Sequence, residues 1–189
     1  MATAARPMTA EEFLALPDVE GVDRELIRGE LWEGPLTTRA LPHSYVMSNF
    51  SYHFKDWILR QPPPHGFVVS GECRILLRRD PGTIVGVDVA YVAPEHAART
   101  APDAAIVDGA PCLVVEISSS SDTKRGMTKK VREYLAAGVR QVWIADPDFK
   151  TVVIHRPEAE PVLFNADQTI PGDPDLPGLA LPVARIFAR

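Results

Sequence analysis

Cysteine is scarce in this chain. Its 189 residues include two, Cys73 and Cys112, each inside an apolar run. That excludes a disulfide framework and a cysteine-rich zinc site, and both read as small reduced core residues. Nowhere does an apolar run reach the roughly 18 residues that a membrane-crossing helix needs. The N-terminus also lacks the long apolar core of a secretion signal, so the chain reads as cytoplasmic. Positive charge is not in excess: 20 Lys and Arg stand against 25 Asp and Glu, a net charge of -5. A broad basic face for nonspecific nucleic-acid binding is therefore not implied, while a local patch remains compatible with the count. No internal repeat and no linker divides the sequence. Its length fits one domain over residues 1–189 with a core of its own, residues 1–7 reading as disordered.

What is present is organised around Cys112 to Gly138. Leu113-Val114-Val115-Glu116-Ile117 is an apolar run of strand length, rich in β-branched residues, with one acid near its end. Such a run reads as a strand buried on both faces. Four serines and Asp122 follow, and then Met127, Val131, Tyr134 and Leu135 recur at helical spacing, with Gly138 at the position of a left-handed cap. A buried ionised carboxylate is costly unless it is paired, hydrogen-bonded or bound to a metal. The helix offers Lys130, which falls on the flank of the apolar stripe, whereas Lys129 falls on the solvated side. Lys130 either reaches Glu116 along its aliphatic stem or snorkels to water.

Elsewhere, Thr9-Ala10-Glu11-Glu12 has the form of a capping box, predicting a helix from Ala10 to about Leu16, with Met8 and Phe13 as a hydrophobic staple. Glu25 to Glu33 reads as a hairpin that turns at Arg28-Gly29 and is anchored by Leu26, Leu31 and Trp32. A second helix is expected from Pro42 to about Gln61 on the stripe Val46, Phe50, Phe54, Trp57 and Ile58, with His43 in its first turn as a candidate site residue. Strands are expected at 67–71 and 73–78, as one or two, at 84–92, 141–145, 150–155 and 162–165, with a short terminal helix. Asp88 stands mid-strand among valines, where aspartate has little to pack against. It is either a hydrogen-bonding hub or a site residue.

Taken together, Asp88, Glu116 and Lys130, with Glu25 at the head of the hairpin, suit a hard divalent cation. Carboxylates without His or Cys favour magnesium or manganese over zinc, and a lysine beside them can orient water and hold developing charge. That combination is the chemistry of phosphodiester hydrolysis. Lys124 and Arg125 fall in the first turn of the central helix, beside the end of the Glu116 strand. They are candidate substrate-binding cations for a backbone phosphate, together with His43.

These segments, in this order, resemble the Uma-two family of restriction-endonuclease-like proteins within the PD-(D/E)xK nuclease superfamily. The resemblance runs from Met8–Phe13 through Glu25–Leu31, Pro42-His43, Val87–Ala90, Leu113–Ser118 and Lys130–Tyr134 to Ala137–Val139, Val142–Pro147 and Leu181–Val183. It implies an α/β fold of the α+β kind: a central mixed β-sheet flanked by helices, an N-terminal β-hairpin, and acids on adjacent strands. It also implies that Asp88 and Glu116 are the two motif acids and metal ligands, with Glu25 able to join them. Two positions depart from the motif: Val87 stands for its Pro and Ser118 for its Lys, the lysine being matched by Lys130 on the following helix. The activity implied is a magnesium- or manganese-dependent endodeoxyribonuclease acting on DNA. The alternative is a catalytically silent nuclease-fold protein serving as a DNA-binding or assembly module. A homodimer follows by analogy with nucleases that cut both strands.

Overall fold

The structure, a computed structural model, describes residues 6–36, 38–119 and 123–189, and of Lys124 only the backbone. The expectation for residues 1–7 thus lies mostly outside the described residues. The first helix, α1 (Ala10–Leu14), opens on the expected capping box: Thr9 Oγ1 accepts the Glu12 N–H at 3.2 Å, and the Glu12 carboxylate accepts the Thr9 N–H at 2.9 Å. The hairpin follows as β1 (Val22–Ile27) and β2 (Glu30–Pro35), paired Leu26 to Leu31 and Glu25 to Trp32. Its two-residue turn has Arg28 at φ 52° and Gly29 at φ 76°, the left-handed pair that matches the twist of the flanking strands. Leu26 is buried as expected, but Trp32 is 48% exposed and anchors no core.

Next comes α2 (Leu41–Leu59), whose predicted stripe is buried at every position. It packs its Phe54 ring edge-on against Trp143. β3 (Phe67–Arg78) is one strand with a bulge between Ser70 and Cys73, where Gly71 and Glu72 both take positive φ. It pairs antiparallel with β4 (Thr83–Val92). A short α3 (Pro94–Ala97) and a two-residue β5 (Val107–Asp108) precede the central unit, which is β6 (Leu113–Ile117) followed by α4 (Lys124–Ala136). Gly138 caps α4 at φ 100°. β7 (Gln141–Asp146), β8 (Thr151–His155) and β9 (Val162–Phe164) complete the sheet. A small pair, β10 (Thr169–Pro171) and β11 (Ala180–Pro182), leads into α5 (Val183–Ile186).

The strand order is β2-β1-β4-β6-β7-β8-β9, with β3 also pairing β4 and β5 pairing β3. The pair β6–β7 is parallel, which requires a crossover, and α4 supplies it. One face of the sheet meets α2 through Val89, Leu113, Val115 and Trp143; the other meets α4 through Ala90, Val114 and Val142 against Val131 and Tyr134. Both faces of β4 and β6 are therefore dry, and a polar residue on either strand must find a protein partner. Both cysteines are free; Cys112 is buried, while Cys73 is only half-buried and less of a core residue than expected. Among the described residues, no helix is long and apolar enough to cross a membrane.

The hairpin turn is tightly constrained. A Cβ on Gly29 would stand 2.4 Å from Pro7 Cβ, at a backbone angle that side chains avoid. Gly29→Ala is expected to lower the unfolding free energy by roughly 2 kcal/mol, from left-handed strain plus the clash. Urea denaturation checks this, and an unchanged midpoint would mean that the turn relaxes freely.

Candidate active site

The register that pairs Val89 with Val115 and Ala90 with Val114 brings Asp88, one step further along, opposite Glu116. Residues directly opposed on antiparallel neighbours point to the same face. The two motif acids thus share one face, and both are buried, Asp88 at 4% and Glu116 at 6% exposure. Each has partners. Asp88 Oδ2 accepts the Ile117 N–H at 2.7 Å, and Asp88 Oδ1 lies 3.1 Å from His43 Nε2. Glu116 Oε1 accepts the Tyr134 hydroxyl and lies 3.9 Å from Lys130 Nζ. Lys130 Nζ in turn lies 3.2 Å from Glu25 Oε1 on β1. Of the two fates open to Lys130, the structure shows the reach to the strand end. Of the two readings of Asp88, it shows at least the hydrogen-bonding hub.

The local sequence explains this assembly. Lys130 and Tyr134 are four residues apart on α4, so both stand over the end of β6. The hairpin is fastened to the same helix: Arg28 Nε donates to both oxygens of the buried Glu133 at 2.7 and 2.8 Å, and Lys129 Nζ stands 4.7 Å over the Trp32 ring. These fastenings hold Glu25 against Lys130. A cavity of about 250 Å³ opens beside them, lined among others by Glu25, Trp32, Arg39, Glu72 and Lys130. Ser118, at the place of the motif lysine, is engaged instead with the Ala145 carbonyl, through its N–H at 2.8 Å and its hydroxyl at 3.3 Å.

The three substrate-binding candidates lie apart from the acid–lysine contacts or, in part, outside the described residues. His43, a substrate-binding candidate, is 5% exposed and its Nε2 lies 3.1 Å from Asp88, while its Nδ1 has no partner among the described residues. Arg125 is exposed in the first turn of α4, but the N–H of Gly126 there is already taken by Thr123 Oγ1 at 3.1 Å. The side chain of Lys124 lies outside the described residues. Tyr134 also contacts Glu116, although the sequence pattern shows it only as part of the apolar stripe. A hydroxyl in an otherwise buried stripe must find an acceptor, and that was the available signal.

Electrostatics follow from burial. Glu116 is pushed up to about 7 by desolvation, opposed by Lys130 and reinforced by Asp88. At Lys130 burial works against the charge, but Glu116 and Glu25 outweigh it, so the ammonium stays protonated above the usual lysine range. The Tyr134 phenol is driven well above its ordinary value, by burial first and Glu116 second, and remains a donor. Even with Lys130 in reach, burial holds the Glu116 carboxyl above the usual carboxylate range. The site's donors are carboxylate oxygens, which fits a hard divalent cation. Among the described residues, however, no three His, Cys, Asp or Glu side chains gather into a complete ligand set.

A stability signature follows. The folded protein retains the Glu116 proton up to about pH 7, while the unfolded chain releases it near 4.5. Between those values the folded state binds more protons, so stability falls as pH rises through the window, by on the order of 2–3 kcal/mol. Glu116→Gln should flatten that slope in metal-free protein. Unfolding free energies at pH 4.5 and 8 test it, and parallel curves for the two proteins would refute the assignment.

The chain has likenesses among known proteins. It is similar to a solved structure from Anabaena variabilis ATCC 29413, described as "a putative nuclease belonging to DUF820". The identity is 24%, over 96% of this chain and 98% of that one, with a TM-score of 0.78. That likeness concerns the fold, a large mixed sheet flanked by helices. Among curated proteins none matches. The family model Uma2, described as "Putative restriction endonuclease", matches residues 10–184, a span that takes in the hairpin, both acids and the lysine helix. The chain therefore belongs to the Uma2 family of nuclease-type proteins.

Proposed function

We propose that this protein is a divalent-metal-dependent endonuclease that hydrolyses phosphodiester bonds of DNA. The observation that carries the reading is that Glu25 and Glu116 meet at Lys130 while Asp88 stands across from Glu116. Three neighbouring strands and one helix, far apart in sequence, converge on a single charged spot. Asp88 and Glu116 would hold magnesium or manganese, with Glu25 able to join them. When bound, such an ion supplies a more acidic water and compensates charge on the phosphate. Lys130, kept protonated, orients the water and holds charge that develops on the phosphate oxygens. Glu25 keeps the lysine in place, while Tyr134 and His43 fix the carboxylate orientations. Arg125, and Lys124 by its place in the sequence, serve a backbone phosphate at the start of α4. The reading includes a single domain over the 189 residues, a cytoplasmic setting, and a homodimer in which each protomer handles one strand.

One observation favours the alternative of a silent module: both oxygens of Asp88 are already engaged, by His43 and by the Ile117 N–H. Metal binding separates the two readings. Manganese at a hundred times its Kd should stabilise the nuclease by about 2.7 kcal/mol, raising Tm by roughly 5–10 °C. Asp88→Asn should lose that shift. Lys130→Ala should keep it, yet lose DNA cleavage by about 100-fold or more. Wild-type protein that neither gains stability with manganese nor cuts DNA would return the silent module.

A further inference from the structure

The outer side of α4 carries a concentration of cations that extends beyond the acid cluster. A cleft of about 730 Å³ lies there, lined by Arg28, Arg125, Thr128, Lys129, Arg132 and Glu133. Four of the six are cations, and the one acid is already held by Arg28. Arg125 and Arg132 make no ion pair among the described residues. Lys129 has only a loose one, 3.8 Å from Glu30. Arg125 and Lys129 are four apart on the helix, and like charges at that spacing oppose helix formation. In a chain of net charge -5, such a concentration asks for an anionic partner.

Beside the cleft stands Trp32. Trp57 and Trp143 are buried at 5% and 0%, whereas Trp32 is 48% exposed. Its ring carries the Lys129 ammonium above it and lines the cavity that also holds Glu25 and Lys130. One exposed aromatic therefore sits where the basic cleft adjoins the acid cavity. Cations along a groove with an aromatic among them is the arrangement that binds single strands: the charges take phosphates and the ring takes a base face. A paired duplex would engage the cations and leave Trp32 without a base. An anionic membrane would do the same.

We propose that this cleft and Trp32 form a track for one unpaired nucleic-acid strand, with Arg125, Lys129 and Arg132 on its phosphates and Trp32 stacked on a base. The track rests on the nuclease reading for its destination, the Glu25–Lys130 cavity, but binding along it requires no cleavage.

The test is a fluorescence titration in EDTA, so that nothing is cut. The probes are a thymidine oligonucleotide of about 12 nucleotides, a duplex of equal length, and phosphatidylserine vesicles. The single strand should bind most tightly and quench the emission, since Trp32 is the exposed tryptophan. Trp32→Phe should retain affinity but lose the quench, and Trp32→Ala should weaken binding roughly 5- to 100-fold. Arg125→Gln with Arg132→Gln should weaken it about 10-fold and lower the salt slope by about 1.4, two phosphates' worth on a single strand. Melting curves confirm that each variant is folded. Equal affinity for duplex with Trp32→Ala neutral, an unaltered double variant, or binding to vesicles alone would each overturn the track. Cleavage that persists in the double variant at full affinity would overturn the track and leave the nuclease reading standing. Tight single-strand binding without metal-dependent cleavage would support the track and overturn the nuclease reading.

Discussion

A carboxylate buried at the end of a dry strand must have its charge answered, and at Glu116 the answer shapes much of the molecule. Its oxygen takes the Tyr134 hydroxyl and faces the Lys130 ammonium, both from α4. That fixes how the helix lies over β6. Lys130 also meets Glu25 on the hairpin, at 3.2 Å. The hairpin is therefore bound to the helix as well as to the sheet, and Arg28 on Glu133 secures it. Removing one partner of such a network leaves the others buried and unanswered, which costs more than the lost contact itself.

A similar constraint operates on β4. Asp88 accepts the backbone N–H of Ile117, closing the ladder beside it, and meets His43 from the start of α2. The two acids share one face of the sheet, but their partners come from different helices: Glu116 is held from α4 and Asp88 by His43 at the start of α2. This also accounts for the position of His43. Its imidazole is buried against Asp88, 3.1 Å from the carboxylate.

Much of this was legible in the chain, and the reasons are local. The β6–α4 unit announces itself because an apolar run, a polar turn, a 3.6-residue stripe and a capping glycine all agree. Lys130 could be singled out because helix geometry decides which of two adjacent lysines lies beside the core. The hairpin turn was legible because Arg28-Gly29 must take positive φ. What was not legible depends on distance or on short elements. The meeting of His43 with Asp88 spans the bulged β3, and no periodicity encodes it. β5, β10 and β11 have two or three residues each, too few to show alternation. Trp32 was expected inside because aromatics usually are; its place opposite the polar Glu25 at the outer end of the sheet decided otherwise.

The Arg28–Glu133 clasp also bears on the life of the chain before it is complete. Its partners are 105 residues apart, as are Glu25 and Lys130. Closing so long a loop is slow and entropically costly, and such contacts form after local ones. During synthesis the hairpin emerges early and waits for α4. Until α4 arrives, Glu25 has no lysine, Glu116 has no tyrosine, and the acid cluster does not exist. A ribosome-bound fragment ending before α4 is therefore incapable of whatever this cluster does. Competence arrives late, with the folding of the second half of the chain.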